Sequence, residues 1–295
     1  MKKYFSTIII ITSLVFLSFY LWQKSLIDFS ILQFNTSFFV SLFFLFLGFV
    51  VSGLSWWFAL KIHGISISPK SAVSSHGLPV FAKYIPGKVW TILGRAAKVS
   101  EQTNESTSAL SFISLKEQLV YLQVGIFVSL WPIYHVYGFS LFLLFVVLSG
   151  IGLFLVVFNK HIHGLIIFIL SKVMKKKPDL PLISLKNGFK LSWFNLLLWI
   201  MWTLGFYFFA NSVNAAFSLD MAFVFPISVV YGVLAIIMPG GIGVRESIIT
   251  AYLTIAGMDL EVATTISVAS RLWFMMGEGF IFLLSTYLSY SKKSQ

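Results

Sequence analysis

The chain has 295 residues, 58% of them hydrophobic, 18% aromatic and only 11% charged, with a mean hydropathy of +0.91. These values exclude an ordinary soluble domain and put nearly the whole chain in a membrane. The formal net charge of +11 does not argue for nucleic acid, because the basic residues fall in short segments between apolar spans, as positive cytoplasmic loops do.

In chain order, Lys2 and Lys3 precede an apolar run at residues 4–22 that lacks a small-x-small cleavage site, so it reads as an uncleaved first span. Residues 38–60 form a second span of bilayer length. Residues 71–99 break the pattern. Gly77, Pro79, Lys83, Pro86-Gly87, Lys88 and Arg95 interrupt a moderately apolar stretch, which predicts a re-entrant hairpin or an interfacial helix pair. Residues 109–134 are the third span, with Lys116 and Glu117 about two turns inside it, and residues 139–158 are the fourth. The loop at residues 159–190 carries seven lysines against one acid, Asp179, and its apolar part at 165–173 reads as an amphipathic segment on anionic inner-leaflet lipid. Residues 191–212 are the fifth span and 262–290 the sixth.

Between these last two lies a second broken element, residues 221–257. It contains Pro239-Gly240-Gly241-Ile242-Gly243-Val244-Arg245-Glu246, with a proline and three glycines inside five residues. A continuous helix cannot pass through it, and broken backbone in a membrane survives only where protein or a wet cavity satisfies it. An adjacent ionisable pair there is by default a functional-site hypothesis.

With the N-terminus inside and both broken elements returning to their side of entry, nearly all lysines between spans become cytoplasmic. Lys24, Asp28, Asp220, Asp259 and Glu261 are then outside. The two broken elements enter from opposite faces. Each is followed by a long span with buried charges, which points to an inverted repeat with halves at 38–134 and 191–290 inside a single membrane domain, residues 1–295. The expected fold is all-α and polytopic, with about six full spans plus two oppositely oriented re-entrant elements.

Helix onset after Gly243 puts Arg245 and Glu246 in a first turn, where free N–H groups and the helix dipole favour an anion and Arg can hold phosphate bidentately. Glu246 is expected to pair with Arg271. Lys88 and Arg95, seven apart after the first break, either meet a headgroup or snorkel to the interface. Glu117 is deeper, whereas Lys116 is within reach of the surface. Arg271 and Glu278 share a face of the last span, as headgroup ligands or as a structural network with Glu246. His161 and His163 leave a helix on nearly opposite sides and have no completing ligand set, so no metal is expected, nor any other cofactor. Trp22, Trp56, Trp57, Trp131 and Trp193 lie near span ends, as an aromatic belt does. There is no cysteine, nucleophile–base pair or phosphate loop, so no catalytic residue is proposed.

At two segments the chain is similar to a known family. Lys83-Tyr84-Ile85-Pro86-Gly87-Lys88-Val89-Trp90 and the Pro239–Glu246 segment resemble the two signatures of the lysylphosphatidylglycerol synthase transmembrane-domain family, also called flippase-like domain proteins. The resemblance implies a helical bundle that moves lipid between leaflets of the inner (plasma) membrane. The best-studied members add a soluble aminoacyl-transfer domain. The sequence here runs only five residues past its last span, so the translocating part alone is expected. Stand-alone relatives are tied to envelope glycoconjugate pathways, which makes envelope-assembly enzymes expected partners. The leading reading is transport of an anionic phospholipid or lipid-linked precursor. An intramembrane transferase with Glu117 or Glu246 as base, or a scaffold for envelope assembly, are the alternatives.

Overall fold

A computed structural model of the protein describes residues 33–85, 89–174, 183–235 and 238–291. The predicted span at residues 4–22 lies outside the described residues, as do Pro86, Gly87 and Lys88 of the first break. Among the described residues the secondary structure is helical throughout, and five helices are long and apolar enough to cross a membrane. They are α1 (Thr36–Ile62), α4 (Thr107–Tyr137), α5 (Leu141–Phe158), α7 (Leu185–Val213) and α11 (Leu260–Ser291). The protein is an all-α, polytopic integral membrane protein.

Polar caps fix where these helices start. The Asn35, Ser106, Ser140 and Ser184 side chains accept from the backbone N–H groups of Phe38, Ala109, Leu143 and Asn187, satisfying donors that a helix start leaves free. The Ser184 cap begins α7 at Leu185, about two turns before the residue 191 expected from hydropathy, so Lys186 and Lys190 belong to the helix.

The two interrupted stretches are helical but broken. The first consists of α2 (Pro69–Gly77), a 3-10 turn (Val80–Tyr84) and α3 (Trp90–Ser100). The basic loop contains α6 (Lys160–Met174). The second interrupted stretch is α8 (Leu219–Ala222), α9 (Val224–Leu234), a 3-10 turn (Pro239–Gly241) and α10 (Val244–Ile255).

The packing has an internal exchange pattern. The largest helix contact is α1 along α7. Around it, α3 packs on α4 as α10 packs on α11, α2 packs on α11 as α9 packs on α4, and α4 touches α7 as α11 touches α1. Exchanging α1, α2, α3 and α4 for α7, α9, α10 and α11 therefore reproduces most of the same neighbours. In this pattern α4 packs on the second broken element as well as the first, and α11 on the first as well as the second.

Close approach along the α1–α7 seam comes from small residues. Ser41, Leu45, Gly48, Ser52, Ser55 and Ala59 recur at spacings of three and four and are all buried. Gly48 is a contact point with the Trp202 indole, which a side chain at that position would strike. Behind this seam Trp199, Trp202, Phe206, Phe225, Trp273 and Phe274 form an aromatic core. Trp56, expected in the interfacial belt, is instead fully buried and donates its indole N–H to Ser75 Oγ at 3.1 Å. Its position near a span end misleads because the re-entrant α2 covers that end. Trp131 and Trp193 do face outward.

Candidate functional site

The second break shows how the local sequence makes a site. Gly240, Gly241 and Gly243 have φ of +58°, +73° and +84°, which L side chains rarely adopt. At Gly241 the need is also steric, since a methyl there would lie 2.7 Å from Gly232 Cα and 2.7 Å from its carbonyl oxygen. The glycine run thus lets the chain reverse directly against the backbone of α9. Gly243 then caps α10, and its N–H donates to Glu246 Oε2 at 2.7 Å. The other Glu246 oxygen accepts from Arg271 Nη1 on α11 at 3.3 Å, the predicted pair.

The first broken element reaches the same place. Lys83 Nζ is 2.5 Å from Glu278 Oε1, and the Tyr84 hydroxyl donates to Glu278 Oε2 at 2.9 Å. A methyl at Gly240 would sit 2.6 Å from the Tyr84 ring and 2.7 Å from Arg271 Nη2, so the end of the 3-10 turn before Pro86 lies directly on the second break. On α3, Arg95 Nη1 pairs with Glu117 Oε2 at 2.7 Å, while Nε and Nη2 donate to the Ser114 hydroxyl and carbonyl. Glu117 Oε1 accepts from Ser55 Oγ at 2.9 Å, and the Arg95 guanidinium lies 4.6 Å from the Trp56 ring.

These contacts leave a clear charge inventory. Glu117, Glu246 and Glu278 present six carboxylate oxygens, and every one has a donor. The cations around them are Lys83, Arg95, Arg271 and Arg245, and the first three complete the three pairs. Arg245 is 6% exposed and has no carboxylate in ion-pair range among the described residues. Its Nε has no hydrogen-bond partner. It lies instead over the Phe274 and Phe225 rings, at 4.8 Å and 5.5 Å. Two desolvated cation–π contacts are worth about 2 kcal/mol each, against a burial penalty of several kcal/mol for a lone ion.

Arg245 lines a cavity of about 320 Å³ between the two broken elements. Lys83 and Arg95 come to it from the first element, Gly240 and Arg245 from the second, and Glu117 from α4. Ser52, His76, Thr91 and Gln118 add neutral polar groups. Of the predicted site residues, Arg95, Glu117 and Arg245 reach the cavity. Arg271, Glu246 and Glu278 are not among its lining residues; Glu246–Arg271 ties α10 to α11, and Lys83–Glu278 ties the first element to α11. Arg95 does not snorkel, because Glu117 and Ser114 retain it in the core. Lys116, expected to reach the surface, is buried as well. Lys88, expected to share a helix face with Arg95, lies outside the described residues, and α3 is described from Trp90.

Lys83, Tyr84, His76 and Thr91 were not expected here. Lys83 and Tyr84 lie within the first signature segment, and the signal was a lysine just before the break with no charged neighbour to share an interface. His76 and Thr91 carry no sequence signal, because only the fold turns them toward a common space. Among the described residues no cluster of three metal-ligating side chains occurs, His161 and His163 included.

Comparison with known protein families gives a match. A family model described as the lysylphosphatidylglycerol synthase TM region covers residues 5–275. No curated protein matches the chain.

Proposed function

The chain belongs to the lysylphosphatidylglycerol synthase transmembrane family, and from that premise and the site's geometry we propose that it translocates an anionic lipid between leaflets. The family supports a lipid-related role in the membrane. The observation that carries the step to transport is Arg245, a buried guanidinium left without a carboxylate in a cavity walled by both broken elements. A charged headgroup faces about 30 Å of hydrocarbon, and the path must replace its hydration. Arg245 supplies a planar set of donors for a phosphate in that cavity. The three ion pairs fix the elements around Arg245 and leave its guanidinium without a carboxylate in ion-pair range.

The completed pairs also weigh against the transferase reading. Glu117 and Glu246, the two candidate bases, each spend both oxygens on existing donors, which leaves neither poised to take a proton from a substrate hydroxyl. A pure scaffold leaves the unpaired Arg245 without a role.

In the proposed orientation the protein sits in the plasma membrane with both termini and the 159–190 loop cytoplasmic, and with Asp220 and the 257–261 turn outside. Helix α6 then lies on anionic inner-leaflet lipid, and envelope-assembly enzymes supply or consume the cargo. Purified protein in liposomes carrying tail-labelled phosphatidylglycerol tests the reading. Wild type should equilibrate label between leaflets at least tenfold faster than Arg245→Ala, and Arg245→Lys should fall between, since it keeps charge but loses the planar fork. Equal rates for wild type and Arg245→Ala would remove Arg245 from the path.

A further inference from the structure

Two cations share one aromatic ring and come to it from different broken elements. Lys83 Nζ lies 5.2 Å from the centroid of the Phe274 ring, and the Arg245 guanidinium lies 4.8 Å from it. Glu278 follows Phe274 by four residues, one turn along the same face of α11. Lys83 holds that carboxylate at 2.5 Å, and Arg245 is near enough for its charge and that of Glu278 to act on each other. One acid therefore stands between two cations, and the lysine has it.

The two cations do not bear the loss of a carboxylate equally. The Lys83 side chain is 29% exposed and lines the cavity, whereas Arg245 is buried with its Nε unsatisfied. A bare charge costs less where water reaches it. Passing Glu278 from Lys83 to Arg245 moves the bare charge to the wetter of the two places, which offsets the lost lysine contact. The Arg245 stem is seated over Gly232, where a methyl would lie 2.5 Å from Cγ, so the guanidinium end is the part that swings. The other two acids are held by partners that the exchange leaves in place. Glu246 has the Gly243 N–H and Arg271, and Glu117 has Arg95 and Ser55. Glu278 differs because both its partners, Lys83 and Tyr84, come from the end of one 3-10 turn.

We propose that Glu278 is a shared counter-ion that passes between Lys83 and Arg245, and that the passage unlatches the first broken element from the second. With Lys83 on Glu278 the turn is latched to α11, and the Tyr84 ring lies so close to Gly240 that a methyl there would meet it at 2.6 Å. With Arg245 on Glu278 the turn keeps only the Tyr84 hydroxyl, and the contact between the two elements loosens. An anion in the cavity binds the form in which Arg245 is free, so it favours the latched state, and its departure favours the unlatched one. What the exchange is for rests on the transport reading above, whereas its occurrence does not.

The test is side-chain NMR of the full-length protein in neutral detergent, labelled with nitrogen-15 arginine, because Arg95, Arg245 and Arg271 are its only arginines. Arg245→Met assigns the Arg245 signal. In wild type this guanidinium should turn about its Cζ–Nε bond faster than the paired Arg95 and Arg271. In Lys83→Met the rotation should slow by about tenfold or more, the effect of a charged hydrogen bond. Adding Glu278→Gln to Lys83→Met should restore fast rotation. Rotation in Lys83→Met as fast as in wild type, or slow rotation that survives Glu278→Gln, overturns the exchange. Melting temperatures give a second reading that needs no NMR signal. Lys83→Met should lower the melting temperature at least about threefold more in the Arg245→Met background than in wild type, because Glu278 is then stranded. Equal falls also overturn the exchange. Excess phosphatidylglycerol should compete with Glu278 for Arg245 and shift its signal in wild type and in Lys83→Met. A signal that ignores the lipid in both proteins overturns the transport reading and leaves the exchange standing.

Discussion

The two broken elements are built alike but spend their charges differently. Each is tied to the long helix after it by one Arg–Glu pair, with the senses reversed: Arg95 on α3 reaches Glu117 on α4, whereas Glu246 on α10 receives Arg271 from α11. A third pair, Lys83–Glu278, joins the first element to α11. Only the second element carries an additional arginine, Arg245, and that one is unpaired. A buried pair is weak evidence for function, since it can be replaced by apolar residues at little cost, whereas a lone buried cation is costly unless something comes to it. The ion pairs of both elements therefore read as the frame, and Arg245 as the residue left for an anion.

Breaking the frame should give the largest effect on stability. Glu117→Ala strands Arg95 beside Trp56 and should cost about 3–5 kcal/mol, read as a large fall in melting temperature. The double variant Arg95→Met, Glu117→Leu should recover most of that loss and retain transport. If the double variant is stable but inactive, Arg95 and Glu117 belong to the working part and the comparison fails.

Next in size are the glycines. Gly241→Ala meets both a positive φ and the backbone of Gly232, and should cost about 1–3 kcal/mol for the backbone strain plus whatever shift relieves the clash. Gly243→Ala has a positive φ but open space around it, so about 1–2 kcal/mol is expected. Equal melting points for the two would mean that α9 does not press on the break. Smaller still is Tyr84→Phe, which removes one donor from Glu278 while Lys83 remains, for about 1–2 kcal/mol. Arg245→Met should have the smallest effect on stability, near zero or slightly stabilising, because no carboxylate loses its partner.

How much of this was legible in the sequence follows the same division. The broken backbone was readable because proline and clustered glycine have few other uses inside an apolar run, and the Glu246–Arg271 pair followed from helix geometry plus the cost of burying charge. The α1 seam was harder. Its face of Ser41, Gly48, Ser52 and Ser55 differs from the lipid face in size more than in polarity, so hydropathy misses it and Trp56 was assigned to the interface. Lys83 and Tyr84 were missed as partners because Glu278 lies 195 and 194 residues away in sequence. A contact between segments so far apart in sequence leaves no local periodic trace.

The central claim is that Arg245 is kept free for an anion. The most direct check is the melting temperature of purified protein in neutral detergent, with and without excess phosphatidylglycerol. Lipid at about 100 times its dissociation constant stabilises the folded state by about 2.7 kcal/mol, so wild type should melt several degrees higher with lipid than without. Arg245→Met should start near the wild-type melting point and gain almost nothing, while the Arg95→Met, Glu117→Leu double variant should gain as wild type does. A full lipid-dependent rise in Arg245→Met would contradict the account, and would make the lone arginine part of the frame after all.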